Sequence, residues 1–275
     1  MAQAIDRRCL FVTGGASGIG RATARLFAGQ GWFVGAYDVD EPGLESLRRE
    51  LGDEGCITGR LDVSDKPAFD RAMETFAEAT GGRLDLLFNN AGVGGGGWFE
   101  DVPYEVSRQI IDVNLIGVVN GIYCGLPLLK TTPNSLCFTT VSSAAIYGMP
   151  KAAIYSATKF AVKGLTEALS VELARHDVRA ADVLPGVIDT KILETTVDHS
   201  TGERPGVAMR ESTTPEGPMR LMQAEDVAAC VLEAYGSDRL HWYVPEEFEN
   251  IERARAQGAE PLRDQFRRDT LAAEG

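Results

Sequence analysis

Seven short apolar runs alternating with longer helical stretches constrain this chain more than any other feature. Runs of β type fall near Cys9–Thr13, Phe33–Tyr37, Cys56–Leu61, Leu84–Phe88, Ser135–Val141, Arg179–Val183 and His241–Val244. Helical stretches lie between them near Gly18–Gln30, Glu41–Leu51, Pro67–Thr80, Tyr104–Leu126, Tyr155–His176 and Ala224–Tyr235. Parallel strands need long crossover connections, and a helix in each crossover covers a face of the sheet. The alternation therefore predicts an α/β fold, a doubly wound parallel sheet of about seven strands with helices on both faces. Local signals agree: Ser64 and Asp65 can cap the helix that Pro67 enters, and Pro103 suits the first turn of the next. No internal repeat or linker breaks the series, so residues 1–275 are expected to form one domain. A long irregular stretch, 186–222, is the candidate substrate lid. The charged tail, 246–275, is compatible with packing on another subunit or with a frayed end.

The composition excludes several classes. A net charge of −13 argues against a nucleic-acid or anionic-membrane surface, since phosphates are met by Lys and Arg stripes. The five cysteines (Cys9, Cys56, Cys124, Cys137, Cys230) are odd in number and widely spaced, which suggests neither a disulfide framework nor a metal site. They read as buried thiols of a reducing compartment. The first apolar run is too short for a secretory segment, and the least charged later stretch, between Asp112 and Lys130, is short for a bilayer. A soluble cytoplasmic protein is expected.

The first strand opens into Thr13-Gly14-Gly15-Ala16-Ser17-Gly18-Ile19-Gly20 and then a helix. Gly14 lets the chain turn off the strand, Gly18 lets backbone N–H groups approach a pyrophosphate, and Gly20 lets the helix pack close to the sheet. A plain tight turn would use the same residues, but the strand, turn and helix order favours a phosphate cradle. Asp38 ends the second strand, where this topology expects an acceptor for the adenosine ribose hydroxyls. It would repel a 2′-phosphate, and no Arg or Lys stands at Ala16, Ser17 or Val39 to offset it. The expected cofactor is NAD, although Asp38 alone reads equally well as a solvated turn residue.

Oxidising a secondary alcohol requires a proton acceptor, and a tyrosine titrating near ~10 serves poorly unless a cation supports its phenolate. Tyr155 and Lys159 have the i, i+4 spacing that places both on one helix face. Tyr147 and Lys151 share that spacing but enclose Gly148-Met149-Pro150, which breaks helical geometry. Ser142 stands thirteen residues before Tyr155 at the end of a strand, with Ser143 as its rival. Asn114 interrupts an apolar helix, where Asn needs a specific partner; a water-satisfied kink is one reading, and a functional water is the other.

Together Thr13-Gly14-(x3)-Gly18-(x)-Gly20, Asn89-Asn90-Ala91-Gly92, Asn114, Ser142, Tyr155-(x3)-Lys159 and Pro185-Gly186 resemble the short-chain dehydrogenase/reductase family in order and spacing. The resemblance spans about Leu10 to Thr190. It implies a single Rossmann-type domain, commonly a homotetramer or homodimer joined through the helices that contain Asn114 and Tyr155. It makes Tyr155 the general acid/base, with Ser142 bound to the substrate oxygen. Lys159 lowers the Tyr155 pKa and holds the nicotinamide ribose, and Asn114 holds a relay water. The implied cofactor contacts are Gly14, Ser17, Gly18, Ile19, Gly20 and Asp38, then Asp62 and Val63 at adenine, Asn90 at the sheet end, and Ile188 and Thr190 at the carboxamide.

The expected activity is an NAD-dependent oxidoreductase interconverting a secondary alcohol and a ketone, in the oxidising direction. Trp98, Phe99, Ile146, Tyr147, Met149, Val187, Ile188 and Leu193 are candidate walls, with His199 and Met209 on the lid. Their apolar character suits a medium-sized alicyclic, aromatic or steroid-like alcohol. Gly94-Gly95-Gly96-Gly97 is read as a mobile wall, and no metal is expected because the three His form no cluster. A non-catalytic NAD(H)-binding regulator is the alternative, against which the retained catalytic set speaks.

Overall fold

The sheet follows from strands that are apolar on both faces. A computed structural model describes residues 6–204, 206, 210 and 213–272, with side chains as far as 269. Its strands are β1 (Cys9–Thr13), β2 (Phe33–Asp38), β3 (Cys56–Arg60), β4 (Leu86–Asn89), β5 (Leu136–Thr140), β6 (Arg179–Pro185) and β7 (His241–Val244). They form one parallel seven-stranded sheet in the order β3-β2-β1-β4-β5-β6-β7. The winding reverses between β1 and β4, so a crevice opens beyond their C-terminal ends, where such sheets bind ligands.

The helices are α1 (Gly18–Gly29), α2 (Glu41–Leu51), α3 (Lys66–Thr80), α4 (Tyr104–Ile111), α5 (Gly117–Leu129), α6 (Ala153–Glu172), α7 (Lys191–Thr195), α8 (Ala224–Tyr235), α9 (Phe248–Gln257) and α10 (Glu260–Ala272). One face of the sheet packs Phe11, Phe69 and Phe76 beneath α3, α5 and α6, with Phe11 stacked on Tyr37 at 4.4 Å. The other buries Phe27, Phe88 and Phe138 under α1, α2 and α8. Asp65, not Ser64, caps α3 by accepting from Ala68 N.

Four expectations change. The stretch read as one helix, Tyr104–Leu126, contains a π turn, Asp112–Ile116, and runs on to Leu129. This Tyr104–Leu129 unit is long and apolar enough to cross a bilayer by length and composition, but half of its most apolar window is buried inside the molecule. The 186–222 stretch is less irregular than read: it carries α7 and bridges Gly96 to Asp198 and Ile188 to Met222. The described part of the tail is helical and packs on its own chain instead of fraying, because α9 buries Phe248 against Gly186 and α10 stacks Phe266 on Tyr147 at 5.2 Å. Lastly, the glycine run, read as a mobile wall, is hydrogen-bonded to neighbouring loops. Gly96 N donates to Val197 O, His199 N to Gly96 O and Gly97 N to Lys151 O, all within 3.1 Å.

Candidate active site

Three strand ends converge on the crevice. After β1 the chain turns through Gly14 and Gly18, whose φ values of +69° and +50° are left-handed. Gly20 is needed for close approach: a Cβ there would overlap the Gly14 carbonyl oxygen and stand 2.7 Å from Asn90 Nδ2. Ser17 sits extended at the N-cap of α1 without capping it, so the first-turn N–H groups of Gly18, Ile19 and Gly20 have no intrahelical acceptor. An anion fits that end of the helix through both the open donors and the macrodipole.

Asp38 closes one side of this turn. Its carboxylate accepts from Ala16 N and Asp40 N, each at 3.0 Å. Asp38 thus organises the turn, and each of its oxygens retains further acceptor capacity. The region also holds a cation that neighbouring positions in sequence did not suggest: Lys191 Nζ lies 2.9 Å from Asp40 Oδ2. That hydrogen bond holds the Asp40 carboxyl below its ordinary value and the Lys191 ammonium above its own.

At β3, Asp62 accepts from Ser64 N and Oγ, at 3.0 and 2.6 Å. Val63 is buried against Gly117, and its carbonyl accepts from Asn120 Nδ2 at 2.9 Å. Asn90 ties the strands together. Its Nδ2 donates to Thr13 O and its Oδ1 accepts from Thr140 Oγ1, both at 3.0 Å. On the far side Ile188 is buried, and the Thr190 methyl lies against Gly18, 3.0 Å from where a Cβ would be.

The chemical groups meet beside β5. Ser142 lies just past the strand and opens a short 3-10 turn, Ser143–Ala145, accepting from Ala144 N at 3.1 Å. Its hydroxyl is close enough to that of Tyr155 on α6 to favour the phenolate slightly, an influence that Ser143 does not exert. Lys159, one turn along, is 4% exposed and donates from Nζ to Thr140 O at 2.9 Å. Burial pulls the Lys159 ammonium down to about 8. Burial also pushes the Tyr155 phenol above its ordinary value, only partly offset by Ser142. Lys159 Nζ sits 5.6 Å from the Tyr155 ring centroid and directs a proton to Thr140 O.

The rival pair separates. Lys151 has φ +60° and places its Nζ 5.0 Å from the Trp98 ring, while Tyr147 stacks on α10. Asn114, fully buried in the π turn, uses its amide on Val93, accepting from its N at 2.8 Å and donating to its O at 2.9 Å. The buried amide is thus satisfied by the backbone leaving β4. Such an inserted turn re-aims a side chain without ending the helix.

Among the apolar wall candidates, Ile146, Val187, Ile188 and Leu193 are buried core, and Phe99 is exposed. Trp98, Tyr147 and Met149 stay partly open on the loops after β4 and β5. Met209 lies outside the described residues. Thr140 and Lys191 are the contributors that sequence reasoning missed, and Thr13 was quoted in the glycine motif without a role of its own. Thr140 stands two residues before Ser142, whereas nothing near Lys191 announces Asp40.

An anion cradle at the switch point of a doubly wound sheet, facing a hydroxyl pair and a buried lysine, defines a Rossmann-like oxidoreductase. A family model described as short chain dehydrogenase matches residues 8–201, and the chain belongs to that family. It is 31% identical over 233 residues to the levodione reductase of Leifsonia aquatica, covering 82% of this chain and 85% of that one. It is 37% identical over 197 residues to the probable oxidoreductase EphD of Mycobacterium tuberculosis, covering 70% of this chain but only 33% of that longer protein. Among solved structures, a short chain dehydrogenase/reductase from Burkholderia phymatum in complex with NAD superposes with a TM-score of 0.78. It is 28% identical, with 94% of this chain and 96% of that chain covered.

Proposed function

We propose that this chain is an NAD-dependent dehydrogenase that interconverts a secondary alcohol and a ketone. The observation that carries the reading is the Ser142 and Tyr155 hydroxyl pair with Lys159 one turn along the same helix. The open first-turn donors of α1 and the Asp38 carboxylate fit a dinucleotide without a 2′-phosphate, which favours NAD over NADP. When bound, NAD supplies the acceptor for the substrate hydride.

The residues of the chain handle the proton. Ser142 holds the substrate oxygen next to the Tyr155 hydroxyl, and Tyr155 takes the alcohol proton as the carbonyl forms. Lys159 supplies the positive charge that makes the phenolate accessible, its ammonium oriented by Thr140 O. Asn114 positions this group indirectly by fixing Val93 beside Gly92, where a Cβ would stand 3.8 Å from Lys159 Nζ. Gly14, Ser17, Gly18, Ile19 and Gly20 hold the diphosphate, Asp38 the adenosine ribose, Asp62 and Val63 the adenine. Asn90 closes the sheet end, and Ile188 and Thr190 face the carboxamide.

Trp98, Tyr147 and Met149 give the substrate an apolar surround, favouring a medium-sized alicyclic, aromatic or steroid-like alcohol. The oxidising direction follows from selection of the largely oxidised NAD pool. Five free cysteines, four of them buried, suit a reducing cytoplasm. Association of copies is supported by exposed apolar side chains along α4 to α6. Purified protein mixed with NAD and a panel of secondary alcohols should produce NADH absorbance, faster than NADPH absorbance with NADP. Tyr155→Phe should lower the turnover by about 10²- to 10⁴-fold. Full activity in that variant would overturn the assignment.

A further inference from the structure

The rim of the cradle is acidic. Asp38 and Asp40 flank the turn on one side, in a protein whose net charge is −13. A diphosphate carries about two negative charges, and a helix N-terminus offers the equivalent of only about half a positive one. A compensating cation nearby would strengthen the hold, and among the described residues three stand on this side. Arg21 is committed, with its guanidinium on the carbonyls of Ala16 and Gly43 and on Glu50. Arg60, beside Asp38 on β3, pairs with Glu41. The third is Lys191.

Its position is set from both ends. Lys191 follows Thr190, whose methyl lies on Gly18, and its ammonium reaches Asp40 on the opposite flank of the turn. The side chain thus spans the glycine turn from the lid side to the β2 side. It is held there by an exposed ion pair, with side-chain exposures of 56% and 31%. Exposed pairs of this kind are weak, so the lysine is retained without being locked.

We propose that Lys191 is the electrostatic partner of the dinucleotide diphosphate, and that Asp40 competes with the cofactor for it. Binding then transfers the ammonium, wholly or in share, from the carboxylate to the diphosphate. The proposal rests on the dinucleotide reading above and adds a determinant of affinity to it. A purely mechanical strap would behave differently, because removing either partner of a strap loosens it.

The test is NADH titration by fluorescence with intact protein, in wild type, Lys191→Gln, Lys191→Arg and Asp40→Asn. Asn at position 40 removes the charge but retains an oxygen for Gly43 N, which Asp40 caps at 3.2 Å. The expected result is a Kd raised about two- to fivefold in Lys191→Gln, largely restored in Lys191→Arg, and lowered by a similar factor in Asp40→Asn. The wild-type salt dependence of Kd should flatten in Lys191→Gln. An unchanged Kd in Lys191→Gln, or loosening in both Lys191→Gln and Asp40→Asn, would overturn the proposal while leaving the dinucleotide reading intact. Absence of NADH binding by the wild type would instead sink that reading.

Discussion

At the scale of single residues, Lys159 shows how the site works against the fold. Its ordinary value of 10.5 falls to about 8 because burial disfavours the ammonium. Between those values the unfolded chain holds a proton that the folded chain has lost, so stability rises with pH across that window. Below pH 8 the folded protein carries the full cost of a buried cation. Lys159→Met should therefore gain about 1–2 kcal/mol at pH 7 in urea unfolding, lose the rise above pH 8, and lose turnover. A less stable variant would show that the Thr140 hydrogen bond outweighs the burial cost. In the reducing direction, which needs Tyr155 protonated and Lys159 charged, wild-type kcat/KM should fall as pH rises through about 8. Residues of this kind were legible for different reasons: Asn114 because asparagine is unfavourable inside an apolar helix, the glycines because they stand between a strand and a helix, and Lys159 through its spacing from Tyr155 and the family resemblance. Their partners were not. Spacing located Tyr155 and Ser142, but only the folded chain shows Lys159 bonding to Thr140 and Asn114 to Val93, because backbone acceptors leave no trace in side-chain pattern.

At the scale of elements, the tail is fastened to α6 by a half-buried charged network. Lys163 of α6 bonds Glu252 of α9, which also accepts from Tyr243 of β7. His241 Nδ1 lies 2.8 Å from the fully buried Asp182, and its Nε2 lies 3.4 Å from Glu167. Burial raises the Glu252 carboxyl, but Lys163 and Tyr243 outweigh it and hold the group below its ordinary value of 4.5. Its contribution is present above that value and lost as pH falls through the folded one. Burial disfavours the His241 cation, yet Asp182 outweighs burial and raises it above 6.5, so that contribution is complete below 6.5 and lost as pH rises through the folded value. Glu252→Ala should cost about 1–3 kcal/mol, less than a fully buried pair because both side chains keep some solvent contact, and should expose α9 to limited proteolysis at neutral pH. Unchanged stability and protease resistance would show that Phe248 alone docks the tail. Strand positions and most crossover helices were legible from periodicity. The tail helices were not, since their apolar positions are sparse and their anchors lie far upstream. The π turn was hidden too, because one extra residue in a helical turn does not change composition.

For the whole molecule, the question is what covers the outer faces of the helices that carry the chemistry. Tyr104, Ile116 and Tyr123 project from the α4 to α5 unit and Phe160 and Val171 from α6, all more than a third exposed. Ile116 and Tyr123 are seven residues apart, two helical turns, so they share a stripe. The α4 helix and the π turn pack on α6, so the apolar positions occur on adjoining helices, not on opposite sides of the protein. Large exposed apolar side chains gathered on adjoining helices suit an interface between copies more than open solvent, in a protein whose net charge of −13 otherwise keeps copies apart. An isologous contact through these helices would bury the stripe twice over and bring copies of α6 close, stiffening the helix that holds Tyr155 and Lys159. The expected result is a dimer or tetramer by light scattering. Tyr123→Glu combined with Val171→Glu should shift the protein toward monomer, because each contact would then bury unpaired carboxylates. Loss of turnover in step with loss of mass would tie the active geometry to assembly. A wild-type monomer with full activity would leave the apolar stripe without that role.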